Sequence, residues 1–273
     1  MNTAVFDILS LLFEFKIATG GHVARFLVQK DRDTHIYFKL RRMWRSGLLE
    51  STKVYAGSYS GMPVYYLLSK QGLQALEKEG IYAPELIRRH PSPRTLLSPN
   101  LFHHEASIVE LASMEASNSC ARFGIACKGE LRSGSSEQLS GKTIEVFTPD
   151  YVVLYTMEGQ KCLIYTEFER TAKSQEATMR KLDRYVRHLE PEERARSILR
   201  IIFQTEGMEQ SFWLAVLNNS PGILNQLNIV TTALPLLHSN QQFLQSIYLS
   251  KRTINPVTHR RLNSSRSKLF PHL

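Results

Sequence analysis

Residues 148–172 read TPDYVVLYTMEGQKCLIYTEFERTA. Two runs rich in β-branched and aromatic residues flank the short turn MEGQ, the pattern of two strands closed into a hairpin. In the second run Glu167 and Glu169 lie two apart, so both project from the same face of the strand. Asp150 opens the first run, and the turn brings it beside them. Three carboxylates at one sheet edge repel one another unless a divalent cation or basic side chains sit among them. Mg²⁺, a hard and oxygen-seeking ion, suits such ligands. Asp150 and Glu167 are the candidate metal ligands, and Glu130 adds a further carboxylate from the strand-like run RFGIACKGELR. A bound ion of this kind polarises a phosphoryl oxygen and activates water. Asp150, Glu167 and Glu169 are therefore also the candidate catalytic residues. The bland alternative pairs Glu169 with Arg170 or with the basic helix that follows, and exposed pairs of that kind contribute only about 0–1 kcal/mol.

Beyond the hairpin, SQEATMRKLDRYVRHL forms a helix with Met179, Leu182, Tyr185, Val186 and Leu189 as its apolar stripe. ARSILRIIFQT is an apolar strand, EQSFWLAVLNN a helix and LNIVTTALPLL a last strand-like run. Interleaved strands and helices indicate an α/β layer with helices against a mixed sheet. Ahead of the hairpin, LFHHEASIVELASMEAS is an amphipathic helix. Its neighbours His103, His104 and Glu105 point in different directions, and the H-E-x-x-H spacing of a zinc site is absent. Residues 83–100, APELIRRHPSPRTLLSPN, carry four prolines, and extended or turn backbone is expected there. A linker at 86–100 then separates a first domain, 1–85, from a second, 101–245. The tail 246–273 holds Lys251, Arg252, Arg260, Arg261, Arg266 and Lys268 with no acid, and can hold a phosphate backbone without sequence preference.

In the first domain, Val5, Ile8, Leu11, Leu12 and Phe15 share a helical face. HVARFLV reads as a brief second helix after the break ATGG. A third helix lies in DRDTHIYFKLRRMWRSGLL, with Asp33 and Thr34 as cap candidates. Ile36, Leu40, Met43 and Trp44 fall on one side of it; Thr34, Phe38, Arg41, Arg42 and Arg45 fall on the other, and Gly47 stops it. LLESTKVYA and PVYYLLS are strands joined by the loop GSYSGM, and SKQGLQALEKEG is a Ser-capped helix. This order is that of a winged helix-turn-helix, whose third helix enters the major groove. Arg41, Arg42 and Arg45 suit phosphates, whereas Thr34, His35 and Phe38 lie where base edges are reached. Lys39 and, on the hairpin, Lys53 add positive charge. Winged helices also serve as protein–protein modules, which stays open here.

Composition agrees with a polyanionic partner. The 273 residues carry a net charge of +9, with pI near 9.5 and mean hydropathy −0.24, which favours nucleic acid before membrane. Cys120, Cys127 and Cys162 show no C-x-x-C spacing, and their odd number argues for reduced thiols over a disulfide framework. The apolar stretch MNTAVFDILSLLFEFK lacks a basic lead and contains Asp7 and Glu14, so it reads as a core helix and not a signal peptide. A cytoplasmic protein is expected.

Two resemblances sharpen this reading. Pro149-Asp150, a gap, then Glu167-x-Glu169 resembles the PD-(D/E)xK nuclease superfamily, in which an Asp and a Glu hold Mg²⁺ and a Lys positions the attacking water. Here Glu169 stands where that Lys would be, and the resemblance makes Lys173, or Lys181 on the following helix, the candidate catalytic substitute. A winged helix followed in order by FHHEASIVEL, GELR, TPDYVVLY, YTEFERT and RKLDRYVRHL resembles the replication-relaxation family, which includes the MobC-type mobilization proteins of plasmids and integrative elements. The resemblance spans roughly residues 5–235. Its characteristic piece is a PD…E-x-D-R hairpin followed by a basic helix ending in Tyr, and Glu167, Glu169 and Arg170 occupy the E-x-D-R positions with Glu for Asp. It implies an accessory role at an origin of transfer, with double-stranded DNA and a relaxase or other mobilization protein as partners. It also implies a nuclease-like fold, kept with or without the chemistry. DNA binding itself needs no cofactor. A Mg²⁺-dependent nicking endonuclease and a winged-helix transcriptional regulator stay open as alternatives.

Overall fold

The computed structural model describes residues 3–53, 63–119, 130–132, 149–157, 160–240 and 249–250. The chain divides into two compact units, Met1–Ser117 and Asn118–Leu273. Both mix helices with a sheet. The loop GSYSGM, the tail arginines Arg252, Arg260 and Arg261, and Cys120 and Cys127 lie outside the described residues.

The first unit opens with α1 (Thr3–Phe15), whose buried face is Ile8, Leu9, Leu12 and Phe15. Lys16 takes a left-handed conformation, φ 62°, and redirects the chain into a short strand, β1 (Ile17–Thr19). α2 (Gly20–Val28) follows at once: the Thr19 hydroxyl accepts from the His22 amide, and His22 Nδ1 accepts from the Thr19 amide, both at 3.2 Å. This reciprocal cap satisfies two donors that a helix start leaves unpaired. α3 (Thr34–Arg45) is capped by Asp33, whose carboxylate accepts from the Ile36 amide at 3.0 Å. It buries Ile36, Leu40 and Met43 and ends where Gly47 adopts φ 78°, a conformation glycine enters without a Cβ penalty. Trp44, placed on the buried side by its periodicity, is 47% exposed. It sits about 40° around the helix from Leu40, off the edge of the apolar stripe.

β2 (Leu49–Lys53) and β3 (Val64–Leu68) pair antiparallel, and β1 joins the other edge of β3, giving the sheet order β1-β3-β2. α4 (Lys70–Lys78) starts at Ser69, whose hydroxyl accepts from the Gly72 amide at 3.0 Å and donates to the Gly47 carbonyl at 2.6 Å. The approach is close enough that a Cβ on Gly72 would meet the Leu48 carbonyl oxygen at 2.3 Å.

The proline-rich stretch is helical instead of an extended linker. α5 (Pro84–Arg89), α6 (Pro93–Leu96) and α7 (Pro99–Ser119) each begin on a proline. A helix's first residue needs no N–H partner and has the φ that proline imposes. Ile87 and Leu96 are buried. α7 belongs with the first unit because its acids pair there. Glu105 accepts from Lys16 Nζ at 2.6 Å, and Glu110 accepts from His22 Nε2 at 2.6 Å and Arg25 Nη1 at 2.8 Å. The unit therefore runs to Ser117, past the expected boundary.

The second unit is built on a six-stranded sheet, β4 (Glu130–Arg132), β5 (Tyr151–Met157), β6 (Gln160–Glu169), β7 (Ser197–Phe203), β8 (Ile229–Ala233) and β9 (Leu249–Ser250), adjacent in that order. β4, β5 and β6 are antiparallel; β6, β7 and β8 are parallel; β9 returns antiparallel. α8 (Gln175–His188) and α9 (Pro191–Arg196) cross from β6 to β7, and α10 (Glu206–Asn219) crosses from β7 to β8. Leu182, Tyr185, Leu199, Ile201, Phe212, Trp213 and Ile229 pack into one core between these helices and the sheet. The expected last strand, LNIVTTALPLL, is strand only over Ile229–Ala233. Leu234–Asn240 is a helix, α11, since Pro235 fits a first helical turn and not a sheet interior. Among the described residues no helix is long and apolar enough to cross a membrane.

Candidate functional site

Each unit carries its own candidate site. In the first, the exposed surface of α3 gathers the predicted nucleic-acid residues. At about 100° per residue, Thr34, Phe38, Arg41 and Arg45 fall on one line, with His35 and Arg42 to one side and Tyr37 and Trp44 to the other. All eight are exposed, whereas Lys39 is half-buried and lies toward the flank. Lys53 is exposed at the end of β2. Asp33 spends its carboxylate on the helix cap.

In the second unit the period of β6 sorts the chemistry onto two faces. Glu167 and Glu169 share the face toward α8, as the spacing predicted, and both are buried at 6% exposure. α8 is capped by Ser174, which accepts from the Ala177 amide at 3.2 Å. One turn apart on it, Lys181 and Tyr185 both reach Glu167: Lys181 Nζ donates to Oε2 at 2.6 Å and the Tyr185 hydroxyl to Oε1 at 2.6 Å. Lys181 also donates to Glu169 Oε1 at 2.5 Å, where Lys173 Nζ adds a bond at 2.9 Å. Asp150, at the start of β5, accepts from the Phe168 amide at 2.6 Å. Glu169 is thus paired with the basic helix and its approach, but as a buried group and not in the exposed pair of the bland alternative. Lys181, only an alternative in sequence terms, is the ammonium at the centre.

The electrostatics follow from burial. Withdrawal from water pushes the Glu167 carboxyl up, with the charge of Asp150 adding to it, and Lys181 and Tyr185 offset this only in part. Burial alone would lower Lys181, but Glu167, Glu169 and Asp150 together hold its ammonium above the usual lysine range. Burial and then Glu167 drive the Tyr185 phenol well up, so it is a hydrogen-bond donor and no nucleophile.

Behind this cluster, β6 turns Thr166 to the other face. There the fully buried Arg200 donates to Thr166 Oγ1 at 2.8 and 3.1 Å and to the Tyr151 hydroxyl at 3.1 Å, and lies 5.6 Å from that ring. Arg200 was not among the sequence candidates. An arginine within the apolar strand SILRIIF was the available sign.

These residues, as arranged, do not fit a metal ion. The place between Glu167 and Glu169 is taken by the Lys181 ammonium, and Asp150 accepts the Phe168 amide. Among the described residues, no three His, Cys, Asp or Glu side chains gather closely enough to hold a metal. Glu130 lies on β4, where the description covers the backbone alone. A cavity of about 140 Å³ opens beside Glu169, Lys173 and Lys181, floored by Ile201, Phe203 and Phe212.

The chain is thus a two-unit α+β protein whose second unit carries a hairpin with paired acids, backed by a basic crossover helix. The model of the replication-relaxation family matches residues 9–199, which is most of the chain and reaches into both units. The chain belongs to the replication-relaxation family, which ties it to the replication or mobilization of plasmids and similar elements. No curated protein matches it.

Proposed function

We propose that the first unit is a winged helix-turn-helix that binds double-stranded DNA. On this reading the chain is a cytoplasmic, MobC-type accessory protein that acts near an origin of transfer and assists a relaxase. One observation carries the proposal: α3 exposes Thr34, Phe38, Arg41 and Arg45 along a single line. The order of helices and strands, with the sheet β1-β3-β2, supports it. The second unit suits a nuclease-type scaffold, with Asp150 just ahead of β5, Glu167 and Glu169 on β6, and a parallel crossover to β7. Glu167 and Glu169 are paired with Lys181 and Lys173, which favours binding over cleavage.

The test is the salt dependence of duplex binding. Arg41→Ala with Arg45→Ala should weaken affinity and lower the slope of log K against log salt by about one to two. An unchanged slope would remove α3 from the phosphates and sink the reading.

A second reading, a Mg²⁺-dependent endonuclease using Asp150 and Glu167, is favoured by the bond of Glu167 to Lys181, which lines the cavity, and by the place of Asp150 on the Phe168 amide next to Glu167. It requires Lys181 to leave Glu167. Nicking of supercoiled DNA bearing the element's own flanking sequence, with Mg²⁺ or Mn²⁺, separates the two. Cleavage lost in both Asp150→Ala and Glu167→Ala would establish the enzyme, whereas DNA retarded but uncut by all three proteins leaves the binder.

A further inference from the structure

The exposed surface of α3 divides along its axis. Its N-terminal half presents Thr34, His35, Tyr37 and Phe38, and its C-terminal half presents Arg41, Arg42 and Arg45. In helix-turn-helix docking the N-terminal residues of the recognition helix meet the base edges, and the cations beyond them hold the backbone. The residue types that read individual bases in the major groove are known by their chemistry. Arg or Lys forks onto guanine, Asn or Gln onto adenine, Asp or Glu accepts from cytosine, and an apolar side chain packs on the thymine methyl. Of these, the exposed line of the N-terminal half of α3 offers only the last, since Lys39 is half-buried and lies toward the flank. Asp33, the nearest acid, is committed to capping the helix. Thr34 and His35 can bond to several base edges and do not select one.

Phe38 is 66% exposed, the most exposed of the large hydrophobic side chains among the described residues. The core side of α3 is already filled by Ile36, Leu40 and Met43, and most of the ring is left to solvent. It stands in line with Arg41 and Arg45, which follow about 4.5 and 10.5 Å further along the axis. Cations pulled onto the phosphates beside the groove would press this ring against its floor.

We propose that Phe38 reads thymine 5-methyl groups, so that the duplex this chain prefers carries A·T pairs facing the N-terminal half of α3. The proposal rests on the DNA-binding reading above and adds the base that is read.

The experiment uses the full chain and a duplex selected by it from a random pool. Each thymine is replaced in turn by deoxyuridine, which removes the methyl and leaves pairing intact. A buried methyl is worth about fourfold in affinity, so wild type should lose about fourfold at one or two positions and nothing elsewhere. Phe38→Ala, at an exposed position where folding is not at stake, should bind more weakly and show no uracil penalty. Phe38→Leu should keep part of it. Uniform tolerance of uracil by the wild type, with binding still dependent on Arg41 and Arg45, would overturn this proposal and leave the DNA-binding reading intact. A uracil penalty that persists in Phe38→Ala would equally overturn it. Tighter binding to a single strand, insensitive to uracil, would overturn it in favour of base stacking. No duplex binding at all would sink the parent reading instead.

Discussion

Glu110 in the first unit and Glu167 in the second are held by similar partners and respond in opposite directions. Glu110 accepts from His22 and Arg25; Glu167 accepts from Lys181 and Tyr185. Burial pushes both carboxyls up. For Glu110 the hydrogen bond from His22, with the charge and bond of Arg25, outweighs it, and the carboxyl falls to about 2. For Glu167 burial wins. Two things differ: the Glu110 side chain is 38% exposed and that of Glu167 is 7%, and Asp150 adds a like charge beside Glu167. The solvent left at its edge and the charge beside it together decide whether a carboxyl is an anchored anion or a proton-sensitive group.

The largest effect expected from this comparison comes from removing the cation on each side. Lys181→Met leaves Glu167 and Glu169 buried without their shared ammonium, and should cost about 3–5 kcal/mol. Arg25→Met leaves Glu110 with His22 and water, and should cost about 1–2 kcal/mol. Hydrogen exchange followed peptide by peptide through a urea series reads the two units separately. Equal losses in the two units would mean that burial is not what sets them apart. For the same reason, Glu167→Gln in the Lys181→Met background should recover part of the loss.

The two sites also differ in how far the sequence shows them. The α3 face needed only period and caps: Asp33, Gly47 and a 3.6-residue repeat mark a helix, and its polar side follows. The acids of β6 were equally visible, because a period of two makes Glu167 and Glu169 neighbours in any strand. Their partner was not. Lys181 reaches them only through the register of α8 against β6, a tertiary fact, although Lys181-x-x-x-Tyr185 already places two donors one turn apart. Other misses have local causes. β1 is three residues long, too short to show alternation, and owes its place to pairing of Ile17 with Leu67. Pro84, Pro93 and Pro99 were weighed as breakers, but a proline also starts a helix. The polar residues of α7 that tie it to the first unit, Glu105 and Glu110, carry no mark in sequence that their partners lie 85 or more residues earlier.

A smaller effect, and the sharper test, is the pH dependence of each unit. The Glu110 carboxyl is held below its unfolded value near 4.5, so the folded state binds fewer protons than the unfolded state between about 2 and 4.5. Its contribution is full above 4.5 and is lost as pH falls toward 2. Screening at its exposed edge reduces that contribution to the order of 1 kcal/mol. The Glu167 carboxyl is held above 4.5, so there the folded state binds the extra proton, and stability declines as pH rises past 4.5. Glu110→Gln should therefore flatten the acid-side rise in the first unit alone. Glu167→Gln, which keeps an acceptor for Tyr185, should remove the decline in the second unit alone. His90 adds to the first unit's sensitivity from the other side of 4.5: burial lowers its imidazole to about 4, against the pull of hydrogen bonds to the Pro91 and Leu12 backbone. The folded state then resists a proton that the unfolded chain accepts below about 6.5, and stability falls as pH drops from there toward 4. The first unit should thus lose stability in two steps on acidification, the upper one abolished by His90→Phe and the lower by Glu110→Gln. If both variants flatten the same step, or if Glu167→Gln leaves the second unit's slope unchanged, the division between a hydrated carboxylate and a dry one does not hold.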